Sequence, residues 1–166
     1  IAAAQNNTAK LGFSDRFVLH TGELADTRFL ENLRMEASPV QLVMANPPWR
    51  LVGSGRLPAT EARRKALFGD KGTFPLFASA ASSLLEEDGR FACIISPDRL
   101  QDMLAALDGA GLTPYLLQYI HKQKTSPATF VLIEARKGAH AKPSVAEPIA
   151  LYGQERFFTL ESLAFC

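Results

Sequence analysis

The sequence predicts an open α/β sheet that is mostly parallel and has one antiparallel strand near its end. Apolar runs of strand length alternate with amphipathic helical segments along most of the chain, which is typical of parallel strands joined by helices. The runs at 115–122 and 129–136 are separated only by a short polar link, which suits an antiparallel pair. The length of 166 residues suits a single domain, residues 1–166, with a sizeable core.

The first half of the chain is predicted to alternate between helix and strand. Gly12 follows an alanine-rich segment, where helices often end in a left-handed residue. Phe29, Leu30 and Leu33 share one helical face. The run VQLVMA is almost entirely apolar, which is the pattern of a parallel strand buried on both faces. The predicted elements are helix 1–11, strand 16–22, helix 26–35 and strand 40–45.

The second half is predicted to continue this alternation after a long basic loop at 50–72. Asp88-Gly89 is a stop signal for the helix before it. Ser96-Pro97 is a strong helix start, because serine caps helices and proline suits their first position. The predicted elements are helix 73–87, strand 90–96, a helix from Pro97 to Gly109, strands 115–122 and 129–136, and a small edge strand within 148–153.

Composition places the chain among ordinary globular proteins, with 47% apolar and 21% charged residues. No apolar run approaches the ~20 residues that span a bilayer, and the first residues do not resemble a signal peptide. Two cysteines, Cys93 and Cys166, do not make a disulfide framework, so we expect a reduced, cytoplasmic setting. Neither these cysteines nor the three histidines have metal-ligand spacing, so no metal site is predicted.

The net charge of +1 conceals an uneven distribution along the chain. Residues 50–72 hold six basic residues against two acidic ones, and residues 121–142 hold five against one. Residues 73–120 hold six acidic residues against two basic ones. The basic blocks are consistent with a solvated face and equally with a footprint for a phosphate backbone. Charge alone leaves both interpretations open.

The four residues Asn46-Pro47-Pro48-Trp49 follow the strand predicted at 40–45. Two successive prolines fix two φ angles and remove two backbone donors, so Asn46 is held rigidly at the strand tip. Ligands of open α/β sheets bind beyond the carboxyl ends of the strands. The Asn46 side-chain oxygen and the Pro47 carbonyl can accept both hydrogens of an exocyclic amine, while a base stacks on Trp49. The sequence therefore predicts a site for a planar nitrogen at this tip.

Asn-Pro-Pro followed by an aromatic residue resembles the signature of Rossmann-like class I methyltransferases that use S-adenosyl-L-methionine to methylate planar nitrogens. The segments EARRKALFGDKGTFPLFASAASSLLEEDGRFACIISPDRL, FVLIEARKGA and PIALYGQERFFTLE resemble bacterial tRNA1(Val) adenine-N6-methyltransferases, as does NNTAKLGFSDRFVLHTGEL near the start. The resemblance covers nearly the whole chain. It implies S-adenosyl-L-methionine as cofactor, the N6 amine of an adenine in tRNA as methyl acceptor, and no metal.

The resemblance also implies roles for individual residues. The catalytic group would be Asn46, Pro47, Pro48 and Trp49. The cofactor would contact Glu23, Leu24 and Asn46. The nucleic acid would contact Arg50, Arg56, Arg63, Arg64 and Lys65.

The chain departs from the family pattern at its start. The glycine-rich cofactor loop after the first strand, and the acidic residue after the second, have no counterpart in this sequence. Glu23 stands where the family has an aspartate, and Trp49 replaces the commoner tyrosine or phenylalanine. The family's sheet has the strand order 3-2-1-4-5-7-6. We therefore expect a sheet that lacks its first two strands, and a chain that is the C-terminal part of a longer polypeptide. Alone it would be inactive, and unstable, rearranged or self-associated through its open sheet edges.

Three alternatives stay open at this stage. The same motif serves enzymes that methylate a protein glutamine amide (N5) or a guanine N2 of rRNA. A domain without its cofactor loop is also consistent with a non-catalytic nucleic-acid-binding module.

Overall fold

The computed structural model describes residues 2–37, 39–51, 60–61, 66–138, 142–153 and 158–159. Its helices are α1 (Ala2–Lys10), α2 (Thr27–Ala37), α3 (Thr73–Leu84) and α4 (Leu100–Gly109), with a 3₁₀ turn at Pro97–Arg99 before α4. Its strands are β1 (Val40–Ala45), β2 (Arg50–Leu51), β3 (Phe68–Gly69), β4 (Leu85–Ile95), β5 (Leu112–His121), β6 (Ala128–Lys137), β7 (Ser144–Val145) and β8 (Ile149–Ala150). No helix within these ranges has the length and apolarity needed to cross a membrane.

The main sheet has the strand order β1-β4-β6-β5-β7, and β8 also pairs with β5. β1 and β4 are parallel, whereas β6 runs antiparallel to both β4 and β5. The predicted mixed sheet is therefore confirmed, and its antiparallel strand is β6, inserted between β4 and β5. Because β1, β4 and β5 point the same way, the residues that follow them lie along one edge of the sheet. Asn46, Ser96 and Lys122 begin those three segments.

The core lies between α3, α4 and the central strands. The inward side chains of β4 alternate along the strand, so that Phe91, Cys93 and Ile95 are all buried. β6 contributes Val131, Ile133 and Ala135 in the same alternation. The two helices cover this face with Phe74, Ala78, Ala81, Met103, Ala106 and Leu107. Each large apolar side chain buried here stabilises the fold by roughly 1.5–3 kcal/mol.

The predicted helix starts and stops near Gly12 and Pro97 are confirmed. Gly12 has φ +72° directly after α1, the left-handed conformation that glycine adopts without strain. Ser96 is the extended residue before the 3₁₀ turn, with Pro97 at its first position, although the Ser96 hydroxyl makes no capping bond. Asp26 caps α2, because its Oδ1 accepts from the amides of Arg28 (3.0 Å) and Phe29 (3.2 Å).

The predicted strand at 16–22 is wrong, because residues 17–23 are irregular in the structure. A strand exists only through a hydrogen-bonded neighbour. Among the described residues, β1 pairs only with β4. Within that part of the chain no strand pairs with its other edge, so residues 16–22 have no neighbouring strand to join. The prediction that residues 40–45 are buried on both faces is also wrong: Val43 packs against the core, but Met44, on the opposite face of β1, is 75% exposed.

The predicted helix 73–87 is also too long, since α3 ends at Leu84. Leu85 pairs with Val40 of β1 and so belongs to the sheet, where it is buried. The register then shifts before Leu42 pairs with Arg90, and Asp88 takes φ +62° within the irregular segment. The Asp88-Gly89 signal marks this irregularity within β4 and begins four residues beyond the end of the helix.

Candidate active site

The segment Asn46 to Trp49 leaves the sheet at the carboxyl end of β1. Its residues differ in burial: Asn46 is exposed, Pro47 is fully buried, and Pro48 and Trp49 are half-buried. A buried proline inside the turn leaves the chain little freedom, because its φ is fixed by the ring and its surroundings are packed. The structure therefore places the Asn46 carboxamide at the solvent-facing tip of a rigid turn.

Arg99 holds this turn from the neighbouring segment. Its Nη1 donates a hydrogen bond of 2.9 Å to the Trp49 carbonyl oxygen, and its Nε donates one of 2.7 Å to Asp102 Oδ2. The guanidinium also lies 4.5 Å from the ring centroid of Phe74. Arg99 is only 6% exposed, so these interactions are little screened by water. They join the segment after β4 to the segment after β1.

Sequence reasoning did not identify Arg99 as part of the site. It is separated from Trp49 by 50 residues, and only the strand order brings the two together. The available signal was its position two residues after Pro97, at a helix start that follows a buried strand.

The ring of Trp49 is held by two neighbours. Phe130 of β6 meets it nearly edge to face, with ring centroids 6.2 Å apart and an interplanar angle of 73°. The Arg50 guanidinium lies 5.3 Å from the centroid of the indole. Arg50 itself is exposed at its position in the short strand β2.

A cleft of about 1130 Å³ opens beside the turn. Asn46 and Pro48 line it from the turn, and Glu23 and Leu24 line it from the segment before α2. The structure therefore brings together Asn46, Glu23 and Leu24, the three residues predicted to contact the cofactor. Pro47, Trp49 and Arg50 do not line this cleft. The remaining lining residues are Gly22, Ala66, Phe68, Gly69, Asp70, Gly72, Thr73, Leu76 and Phe77.

One wall of the cleft is a hydrogen-bonded turn between β3 and α3. Asp70 Oδ1 accepts from the Gly72 amide (2.9 Å) and from Thr73 Oγ1 (3.0 Å), and Thr73 Oγ1 accepts from the Asp70 amide (2.9 Å). Gly69 lies so close to the Pro48 carbonyl oxygen that a Cβ at this position would collide with it. From the sequence, this turn was predicted only as part of a long basic loop. The pattern that could have indicated the turn is Gly-Asp-x-Gly-Thr, just before a helix.

The other predicted site residues are not part of this arrangement. Arg56, Arg63, Arg64 and Lys65, which were predicted to contact nucleic acid, lie outside the described residues. Within the part of the chain that the structure describes, no three His, Cys, Asp or Glu side chains could share a metal ion. Cys93 lies in the core, and burial raises the pKa of its thiol to about 12, so it remains a neutral thiol at physiological pH.

Comparison with known proteins identifies the fold. No protein-family model and no curated protein sequence matches the chain. A predicted O-methyltransferase of Agrobacterium tumefaciens, protein Atu636, superposes with a TM-score of 0.68 at 20% identity, over 96% of this chain and 67% of that one. The fold is that of a Rossmann-like methyltransferase.

A second solved structure shares this methyltransferase fold. It belongs to a type I restriction–modification (R-M) system and superposes with a TM-score of 0.54 at 14% identity, over 96% of this chain. The present chain spans 34% of that protein, against 67% of the Agrobacterium one. The strand order β1-β4-β6-β5 corresponds to the run 4-5-7-6 in the order 3-2-1-4-5-7-6 that the sequence resemblance implied.

Proposed function

We propose that this chain is part of a methyltransferase that uses S-adenosyl-L-methionine to methylate the exocyclic N6 amine of an adenine in nucleic acid, with tRNA as the substrate class. The observation that carries the proposal is the position of Asn46. It lies at the carboxyl end of β1 and lines the same cleft as Glu23 and Leu24. The methyltransferase fold supports the reaction class, and the resemblance of the C-terminal segments to tRNA enzymes favours tRNA.

The described residues fit the adenosine end of such a cofactor. The cleft exceeds the roughly 300–1,000 Å³ of common ligand pockets, so it has room for a nucleoside beside a second group. Leu24 offers an apolar surface for a base, and the exposed Glu23 carboxylate can accept hydrogen bonds from an amine or a hydroxyl. When bound, S-adenosyl-L-methionine supplies an electrophilic methyl group on a positively charged sulfur.

Asn46 and Pro47 would orient the acceptor nitrogen. The Asn46 side-chain oxygen would accept one amine hydrogen and the Pro47 carbonyl the other, which directs the nitrogen lone pair towards the methyl group. Because Pro47 is fully buried in the structure, the second bond requires the turn to open towards the cleft. These bonds strengthen as the nitrogen becomes tetrahedral and positively charged, so they lower the barrier rather than only aiding binding. The amine loses its proton after methyl transfer, and no side chain is needed as a general base.

Trp49 would stack on the target base, as the sequence resemblance implies. In the structure Arg50 lies over the indole ring, so stacking of a base on that face requires Arg50 to move aside. Arg50 is exposed and its guanidinium is then free to meet a phosphate of the same nucleotide. The two residues would act as a pair, with Arg50 covering the ring until the base arrives.

The test is the variant Asn46→Ala in the complete protein, with a tRNA transcript and labelled cofactor. Loss of one donor or acceptor aimed at the reacting group typically lowers kcat by about 10²–10³. Gln41→Ala is the matched control, because it removes an exposed amide side chain from the same strand at a position that does not line the cleft. Undiminished methylation by Asn46→Ala would contradict the assigned role.

The identity of the acceptor is tested separately. The unmodified protein is offered tRNA, rRNA, double-stranded DNA and a release-factor protein under the same conditions. Methyl transfer to adenine N6 of tRNA is the expected outcome. Transfer to a protein glutamine or to guanine N2 would replace the proposed substrate while leaving the role of Asn46 intact.

A further inference from the structure

A second group of residues lies on the same sheet edge as Asn46. β5 is parallel to β1, so the tip of the β5–β6 hairpin, residues 122–127, lies at the edge where the Asn46 turn leaves the sheet. Three strand spacings separate β1 from β5 in the order β1-β4-β6-β5, which corresponds to ~14 Å. A nucleic-acid strand that places one nucleotide at Asn46 can therefore reach this tip with a nucleotide a few positions further along the strand.

The hairpin tip and the segment after β8 form a cavity of about 310 Å³. This volume falls within the common range for small-ligand sites. The lining residues are Gln123, Lys124, Thr125, Tyr152, Gly153 and Thr159.

Hydrogen bonds fix the two walls of this cavity. Within the hairpin, the Gln123 carbonyl accepts from the Ser126 amide (2.9 Å) and from Ser126 Oγ (2.8 Å). Between the walls, the Tyr152 amide donates to the Lys122 carbonyl (2.9 Å). Gln123 Nε2 also donates to the Gly153 carbonyl at 3.5 Å. The cavity is thus held by backbone hydrogen bonds and by the half-buried side chains of Gln123 and Ser126.

The chemistry of the lining suits a nucleotide. The Tyr152 ring packs against Phe158, with centroids 5.1 Å apart and planes tilted by 35°, which supports the ring from one side. Lys122 and Lys124 are exposed, and the sequence has no acidic residue between 121 and 133. An aromatic ring supported from behind and two exposed lysines in a stretch of sequence without acidic residues are a combination by which proteins bind single-stranded nucleic acid: the base stacks and the phosphate meets the charge.

We propose that this cavity is a second nucleotide subsite, which binds a nucleotide flanking the methylation target in single-stranded nucleic acid. The flanking base stacks on Tyr152, Lys124 contacts its phosphate, and Lys122 extends the contact along the backbone. The subsite deepens the proposed function and rests on it for the identity of the substrate. It gives the second basic block of the sequence a role in fixing where on the strand the target lies.

Binding of radiolabelled RNA to the complete protein tests this subsite. The ligands are a single-stranded RNA of roughly 12 nucleotides, within the size range of single-strand sites, and a dinucleotide too short to bridge both positions. Tyr152→Ala should weaken binding of the longer RNA roughly 5- to 150-fold and leave the dinucleotide unchanged. Tyr152→Phe keeps the ring and should bind both ligands as the unmodified protein does.

The salt dependence of RNA binding tests the proposed contact between Lys124 and a phosphate. Lys124→Ala should reduce the slope of log affinity against log salt by roughly 0.7, the value for one phosphate contact to a single strand. Lys10→Ala, at the end of α1, removes the same charge elsewhere and should leave the slope unchanged. Thermal unfolding of each variant verifies that the fold is retained.

The outcomes separate this subsite from the proposed reaction. Equal binding of the longer RNA by Tyr152→Ala and Tyr152→Phe overturns the subsite, even if Asn46→Ala has abolished methylation. An equal change of slope in Lys10→Ala and Lys124→Ala overturns the phosphate contact. A third outcome combines two results: Tyr152→Ala binds RNA more weakly whereas Tyr152→Phe does not, and Asn46→Ala methylates normally. This outcome supports the subsite and contradicts the proposed reaction.

Discussion

The parts of the chain before and after strand β1 differ sharply in packing. After β1, the core residues of α3, α4, β4 and β6 are buried almost completely, with Phe74, Phe91 and Leu107 at 1% exposure or less; we call this part the packed side. Before β1, α1 and α2 contain no buried residue; we call this part the open side. Glu23 and Leu24 belong to the open side, and Asn46 directly follows β1. The buried core therefore comes from one part of the chain, and two of the three residues predicted to contact the cofactor come from the other.

Truncation of one apolar side chain in each environment should give the largest difference in unfolding free energy. Phe91→Ala removes a fully buried ring from β4 and should lower the free energy of unfolding by about 3–5 kcal/mol. Met44→Ala removes a side chain of the neighbouring strand that is 75% exposed, and should change it by less than about 0.5 kcal/mol. Equilibrium unfolding in urea gives both values. Similar losses for the two variants would mean that the open face of β1 is covered in solution.

Removal of Arg99 should give an intermediate effect, because this residue joins the packed side to the candidate site. Arg99→Ala loses the hydrogen bond to the Trp49 carbonyl and the contact with Phe74, and should cost about 1.5–3 kcal/mol of unfolding free energy. Asp102→Ala loses only a partner that is 62% exposed, and should cost at most about 1 kcal/mol.

Arg99 should also matter for methyl transfer. If Arg99 positions the Asn46 turn, Arg99→Ala should lower kcat by a larger factor than Asp102→Ala does. Arg99→Lys should restore little of this kcat, because lysine cannot bind both partners in the same fork geometry. Equal kcat values for the unmodified protein and Arg99→Ala would show that the turn holds its shape without this arginine.

Near pH 8 the pH dependence of stability due to Cys93 should be the smallest of these effects, and its growth at alkaline pH should locate Cys93 on the packed side. Burial raises the pKa of its thiol from 9.0 to about 12, so the folded state retains a proton that the unfolded chain releases. This contribution to stability is constant below pH 9 and falls as the pH rises from about 9 towards about 12, by up to about 1.4 kcal/mol per pH unit.

The measurement uses a Cys166→Ser background, so that Cys93 is the remaining thiol. Unfolding free energies are compared with those of the same protein carrying Cys93→Ala, between pH 8 and the alkaline limit. The difference between the two proteins should shrink as the pH rises. A difference that does not vary with pH would place the thiol in contact with water.

The sequence predicted the packed side of the molecule better than the open side. From Val40 onward, the order of the large helices and strands and the antiparallel β5–β6 pair follow from local periodicity and short links. The strand at 16–22 failed because strand formation depends on a neighbour that no local pattern reveals. The end of α3 at Leu84 failed for a related reason: Leu85 pairs with Val40, which lies far away in the sequence.

The candidate site shows the same division. Asn46 was predicted from two prolines at the end of an apolar run, which is a local signal. The turn from Gly69 to Thr73 faces the site only through the pairing of β2 with β3, and Arg99 reaches Trp49 only through the order of β1 and β4 in the sheet. Contacts of this kind depend on the assembled sheet, and periodicity does not contain them.

Trp49 gives the candidate site an optical reporter of its own. It is the only tryptophan of the chain, so emission excited at wavelengths that tyrosine does not absorb comes from this one ring. A cation lies over the indole at 5.3 Å, and the adjoining carbonyl is bound by Arg99. If a base stacks on Trp49 as proposed, displacement of Arg50 changes both the charge and the polarity beside the ring, and therefore its emission. Binding of an RNA ligand at this ring would then be visible in real time without any added label.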